Sequence, residues 1–269
     1  MKTLFRFYIL SSIHVGCAVL ALAKATALVL QIPMSIQFQG ALFGMTVTGY
    51  NCIKYGYVHQ LLKTKNALGI KLVSGLGVLL TLNGIFPLNT ERVVLLLTMG
   101  LLTVSYGIPK LVVPINLRSS KGLKIFLVAL VWVGSTVFLP VAYATSMPNS
   151  LSPALVVSHF IFVLVATLPF EIRDLQQDAS SLGTWPQLLG VGGTKVRGYG
   201  LLIVFVLLES HHLKDTGQLI ISGVIASLLG VFLAFSRKNQ STYYSSFWVE
   251  SIPIVWWALL VLYESSTTQ

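Results

Sequence analysis

The sequence predicts an all-α, polytopic transmembrane helical bundle of nine spans, and three observations predict it. Hydrophobic residues make up 55% of the 269 positions and charged residues 10%. Mean hydropathy is +0.81, more apolar than the core of a soluble domain of this length requires. Apolar runs close to the ~20 residues that cross a hydrocarbon layer of about 30 Å recur from end to end. The basic residues are one-sided: with a cytoplasmic amino terminus, all 18 Lys and Arg except Lys24, Arg92 and Lys214 fall on inside segments, as the positive-inside rule requires. The carboxyl terminus then lies outside, and residues 1–269 form one domain of a multi-pass protein of the cell membrane. The net charge of +10 belongs to this topology. It is spread over short loops, with no basic arm carrying interleaved aromatics, which excludes nucleic acid as a partner.

The spans are read at 5–30, 36–59, 70–88, 92–108, 123–145, 153–170, 196–210, 218–235 and 247–263. The first is too long and too polar at its flanks for a cleaved signal peptide and is retained as a helix. It carries His14, expected to hydrogen-bond within the bundle, and Lys24, expected to snorkel. The second opens with Gly40, Gly44 and Gly49, which permit close approach of an interior helix. Its end, GYNCIKYGYVHQ, places Asn51, Lys54, Tyr55 and His59 on one face at helical spacing. Lys54 there either meets an anion or a cavity, or snorkels to headgroups beside an interfacial tyrosine belt.

The fourth span ends in SYGIPKLVVPINLRSSKGLK, with Tyr106 and Lys110 one turn apart, followed by Arg118, Lys121 and Lys124. Taken alone this is a positive-inside loop. His159, in the sixth span, reads as a structural hydrogen-bonding residue. Cys17 and Cys52 read as small core hydrophobes. GTWPQLLGVGGTK reads as a glycine-rich loop leading to Lys195 and Arg197, without the spacing of a nucleotide-binding loop. His211 and His212 read as a solvated outer loop. In the ninth span Pro253 can kink the helix and free carbonyls beside Glu250, a candidate cavity residue.

The most informative stretch is PFEIRDLQQDASSLGTWPQLLG, after the sixth span. Three of the eight Asp and Glu residues of the chain sit here as Glu171, Asp174 and Asp178. Offsets of three and four put them on one helical face, where a divalent cation could collect oxygens from successive turns. The alternative is a solvated helix end with Arg173 as counter-charge. A magnesium-bound diphosphate needs both acids for the metal and cations for the remaining phosphate charge, and neighbouring inside loops supply that mixture.

Nine spans, an inside amino terminus and FEIRDLQQDASSLGTWPQLLG resemble the UbiA superfamily of intramembrane prenyltransferases, whose second motif is an aspartate series followed by Gly-Thr and Leu-Gly. Tyr106 and Lys110 resemble the tyrosine and lysine of that family's loop between helices four and five. The first motif departs: of its Asn-Asp-x-x-Asp-x-x-x-Asp series only Asn51 matches, with Cys52, Tyr55 and His59 at the aspartate positions. The resemblance implies an isoprenyl diphosphate donor, a lipophilic, quinone-precursor-like acceptor and Mg2+, here at one site rather than two. It makes Glu171, Asp174 and Asp178 the metal ligands, and Asp174, Asp178 and Lys110 the catalytic residues. Asn51, Lys54, Tyr106, Arg173 and Lys195 become substrate-binding, with Lys54 standing in for the lost metal. The lost aspartates leave a second expectation open, a non-catalytic relative that binds an isoprenoid or quinone or serves in assembly or transport.

Overall fold

The computed structural model describes residues 2–55, 66–107, 122–145, 147–148, 150–178 and 182–267, and their regular structure is entirely helical. In chain order the helices are α1 (Lys2–Leu10), α2 (Ile13–Leu30), α3 (Ile36–Tyr55), α4 (Ala67–Gly84), α5 (Thr90–Gly107) and α6 (Lys124–Val133). A π turn, Gly134–Phe138, joins α6 to α7 (Leu139–Tyr143). Then follow α8 (Pro153–Asp174), α9 (Trp185–His212), α10 (Thr216–Phe235), a second π turn (Tyr244–Val249) and α11 (Ile252–Thr267).

Over their described residues the runs read from the sequence are helical, the first covering α1 and α2 and the fifth α6 and α7, and seven segments rather than nine are both long and apolar enough to cross a membrane among the described residues. Helices α3 and α5 match the others in length and fall short in apolarity. Gln37, Gln39, Asn51 and Lys54 dilute α3, and Glu91 and Arg92 dilute the start of α5.

The core lies where α2, α8, α9, α10 and α11 meet, around the fully buried Leu22, Phe162, Ile172, Phe205, Ile225 and Leu229. Trp256 rests against both Phe162 and Phe205. Helices α4 and α5 are peripheral and expose Leu72, Leu79, Leu97 and Leu101, as lipid-facing surfaces do. Of the three glycines at the start of α3, only Gly44 is needed for close approach: a Cβ there would run into the backbone carbonyl of Gly77 on α4, whereas Gly40 and Gly49 have room.

Two local departures from the sequence reading, and one π turn, shape the site. The first rod is broken at Ser11–Ser12, where Ser12 adopts φ 60°. The carbonyls freed by the break are taken by the far end of α3: Asn51 Nδ2 donates to Ser11 O at 3.1 Å and Tyr55 OH donates to Leu10 O at 3.0 Å. The glycine-rich stretch is helix rather than loop. α9 begins at Trp185, aided by Pro186 in its first turn and by Gln187 Oε1 accepting from Thr184 N at 3.1 Å, and it absorbs Gly190 as a kink at φ 69°. His211 and His212 are accordingly its last turn. A π turn precedes α11, Pro253 lies at the second position of that helix, and Glu250 follows the turn directly.

Among smaller expectations, His14 and His159 are hydrogen-bonded in the interior, His14 to Tyr8 OH and Phe247 O and His159 to Thr26 Oγ1. The Lys24 ammonium lies 4.1 Å over the Trp257 ring. Cys52 is exposed rather than a core residue.

Candidate functional site

Between α2, α3, α4, α5 and α6 the bundle encloses a cavity of about 1030 Å3. Its length is apolar, walled by residues such as Val19, Met45, Leu82, Met99 and Trp132, and its polar end carries Lys54, Arg173, Ser246 and Glu250. A smaller chamber of about 170 Å3 continues beside it, with Lys124, Glu171 and Asp174 in its wall. Tyr50, Trp132, Phe170 and Glu250 belong to both chambers, and Trp132 Nε1 donates to Tyr50 OH at 2.7 Å along the partition.

Lys54 is on the last turn of α3 and exposed, and it lines the large cavity. Its Nζ donates to Ser12 Oγ at 3.1 Å, so the α1–α2 break helps to hold the ammonium in place. Glu250 lines the same polar end of the cavity as Lys54 and Arg173. Arg173 also donates to Ser246 Oγ at 3.2 Å, next to the π turn.

The acidic stretch ends differently from an ideal helical face. α8 stops at Asp174, and Asp178 follows on a turn whose amide returns to Asp174 O at 2.8 Å. Lys124, at the start of α6, reaches between two of the acids, with Nζ 2.8 Å from Glu171 Oε1 and 3.1 Å from Asp178 Oδ2. The Glu171 side chain is only 4% exposed and that of Asp178 14%. Asp174 turns aside to Arg173 in a two-pronged pair, at 2.7 Å to Nε and 3.0 Å to Nη2. Paired and hydrogen-bonded in this way, the carboxylates avoid the cost of a buried unpaired charge.

Lines of comparison by sequence are silent, since no family model and no curated protein matches the chain. Solved structures do match. A UbiA homologue from Aeropyrum pernix K1, in its apo form, superposes with a TM-score of 0.63 at 17% identity, covering 92% of this chain and 97% of that one. A UbiA homologue from Archaeoglobus fulgidus bound to GPP and Mg2+ gives 0.62 at 14% identity, covering 95% and 98%. The same homologue bound to DMAPP and Mg2+ gives 0.62 at 14%, covering 95% and 97%.

The chain has the UbiA fold.

Against the UbiA expectations, the site residues divide. Lys54 and Arg173 meet at the polar end of the large cavity, and Glu171 and Asp174 border the smaller one. Asn51 does not line either chamber. It is buried, bonded to Ser11 O and to Ser74 Oγ at 2.9 Å, and so ties α3 to the α1–α2 break and to α4. Lys195 also lines neither chamber: its Nζ donates to Ala234 O at 2.6 Å, satisfying a carbonyl at the end of α10. Tyr106 closes α5, and Lys110 and His59 lie outside the described residues.

Glu171, Asp174 and Asp178 do not assemble into the expected metal set. Lys124 occupies the space between two of them and Arg173 takes the third, and no three His, Cys, Asp or Glu side chains among the described residues form a group able to hold a metal. As arranged, the donor set does not fit magnesium. Sequence reading counted Lys124 among the loop cations and missed this contact. The only signal available was its position at the mouth of an apolar run.

Proposed function

We propose that this UbiA-fold chain binds an isoprenyl diphosphate, with the prenyl tail along the apolar cavity and the diphosphate at the polar end beside Lys54 and Arg173. The observation that carries this reading is the cavity itself. At about 1030 Å3 it is at the upper end of the usual size for small-molecule sites, mostly apolar with a few convergent polar groups. Its two cations are a lysine and an arginine, the residues that meet phosphate oxygens. The homologous structures bound to GPP or DMAPP with Mg2+ support the donor class. The polar end faces the cytoplasm of the cell membrane under the positive-inside distribution.

As a prenyltransferase, the protein breaks the donor's C1–O bond, the electron pair leaving with the diphosphate, and joins C1 to a carbon of a lipophilic acceptor. Lys54 and Arg173 counter the charge that develops on the leaving group. Glu250, at the junction of the two chambers, receives the proton that the acceptor carbon releases. The pairing of all three acidic side chains with Lys124 and Arg173 favours a second reading, a relative that binds the isoprenoid without transferring it.

The test is a titration of the purified protein with geranyl diphosphate. It follows Trp132 fluorescence against a Trp132→Phe control, and alkylation of the cavity-lining Cys52 in a Cys17→Ser background. Saturable quenching and protection of Cys52 are expected, with geraniol or pyrophosphate alone much weaker. Absence of saturation in both readouts refutes the proposal. Pyrophosphate release on adding a hydroxylated aromatic acceptor separates the enzyme from the binder.

A further inference from the structure

We infer that Lys124 is a tethered cation in the place of a metal ion, so that Glu171 and Asp178 are bridged by an ammonium rather than by a divalent metal. The inference deepens the proposed function and rests on it only for the identity of the ligand. Its basis is the contact geometry: one ammonium lies within hydrogen-bonding distance of Glu171 and Asp178, at 2.8 and 3.1 Å. A hard divalent ion bound to the same oxygens would stand about 2.0–2.6 Å from them, in the volume that the ammonium fills, and the two positive charges would repel. The third acid is already committed to Arg173 through both of its oxygens. Neutralisation is therefore partial: Arg173 cancels Asp174, and Lys124 leaves one negative charge shared between Glu171 and Asp178.

The lysine is also delivered by a built connection rather than by chance extension of a long side chain. Two residues before it, Gly122 takes φ 72°, a conformation that favours glycine, and its amide donates to Leu182 O at 2.9 Å. This bond fixes the entry to α6 against the segment that follows the acidic stretch. Two residues after it, Phe126 packs edge-on against Trp185 at the start of α9, with ring centroids 6.1 Å apart. Lys124 thus sits between two anchors that hold α6 to the chain on the far side of the acids. Its side chain is 14% exposed, so the ammonium has little water to retreat to.

The experiment uses Mn2+ alone as the probe, followed by its electron paramagnetic resonance signal with the full chain in detergent. Wild-type protein should leave the free-ion signal unchanged. Lys124→Met, which vacates the space between the acids, should bind Mn2+ stoichiometrically, and Glu171→Gln with Asp178→Asn in that background should abolish the gain. Wild-type protein that takes up Mn2+ through Glu171 would overturn the inference, as would a folded Lys124→Met that takes up none. If Lys124→Met fails to fold, Lys124→Arg decides, because it keeps the charge: silence of both wild type and Lys124→Arg supports a tethered cation, and Mn2+ uptake by either that is lost with Glu171→Gln refutes it. Since no diphosphate is present, the result stands apart from the fate of the proposed ligand.

Discussion

Removing the Lys124 ammonium strands two carboxylates at once, Glu171 at 4% exposure and Asp178 at 14%, beside a wall that includes Val163, Phe170 and Val249. Loss of one partner from a buried ion pair costs about 3–5 kcal/mol, and Lys124→Met should fall in that range. At roughly 2–4 °C per kcal/mol for a domain of 150–250 residues, this lowers Tm by about 6–20 °C. Glu171→Gln alone keeps a side-chain oxygen and leaves the contact of Lys124 with Asp178 at 3.1 Å, so it should cost about 1–2 kcal/mol. The double variant removes the stranded charge at the more buried position and should be less destabilised than the two singles combined, by about 1–3 kcal/mol. Thermal melts in detergent, run as a double-mutant cycle, read these differences. A Lys124→Met protein that melts within about 1 °C of wild type, or a cycle that is additive to about 0.5 kcal/mol, would refute the assignment of a buried, paired triad.

Gly44→Ala should destabilise by about 1–3 kcal/mol, the cost of overpacking, because its methyl group would meet the Gly77 carbonyl; Gly40→Ala, which has room, should be near neutral in the same melt. Asp215 caps α10 by accepting from Gln218 N at 2.9 Å, which holds its carboxyl below the usual carboxylate range. A lowered folded-state pKa gives stability that is fully present above the unfolded value of about 3.9 and is lost as pH falls through the folded value. Tm of wild type should therefore drop between about pH 4 and pH 2 by more than Tm of Asp215→Ala, and parallel pH profiles would contradict the cap.

The apolar rods were readable because each lipid-crossing run states its own length and composition. What escaped depended on partners far apart in the chain. Serines occur inside helices, so nothing local marked the break at Ser11–Ser12, and the Asn51 amide that stabilises it lies 40 residues away. The polar face of α3 was legible as a pattern but not as a purpose: Asn51 and Tyr55 serve the break, and among the described residues of that face Lys54 lines the cavity. The glycines of GTWPQLLGVGGTK argued for a loop, yet the start signals at Thr184, Pro186 and Gln187 prevailed, and within the helix only Gly190 departs from helical geometry. The spacing of Glu171, Asp174 and Asp178 was visible, whereas the cation that joins two of them lies 54 residues before Asp178. At the opposite end, Glu209 and His212 form a buried contact at 3.7 Å where two histidines had read as a solvated loop, because the length of α9 was underestimated.

The central claim, that the cavity seats an isoprenyl diphosphate with its head against Lys54, is tested most directly by calorimetric titration of geranyl diphosphate into wild type and Lys54→Met. Methionine keeps the length and apolar stem of lysine and removes the ammonium. The account predicts saturable binding to wild type and a loss of about 1.5–3 kcal/mol in the variant, the range for a hydrogen bond to a charged group, with the fold and Tm retained. Equal affinity of the two proteins, or no binding to either, would contradict it.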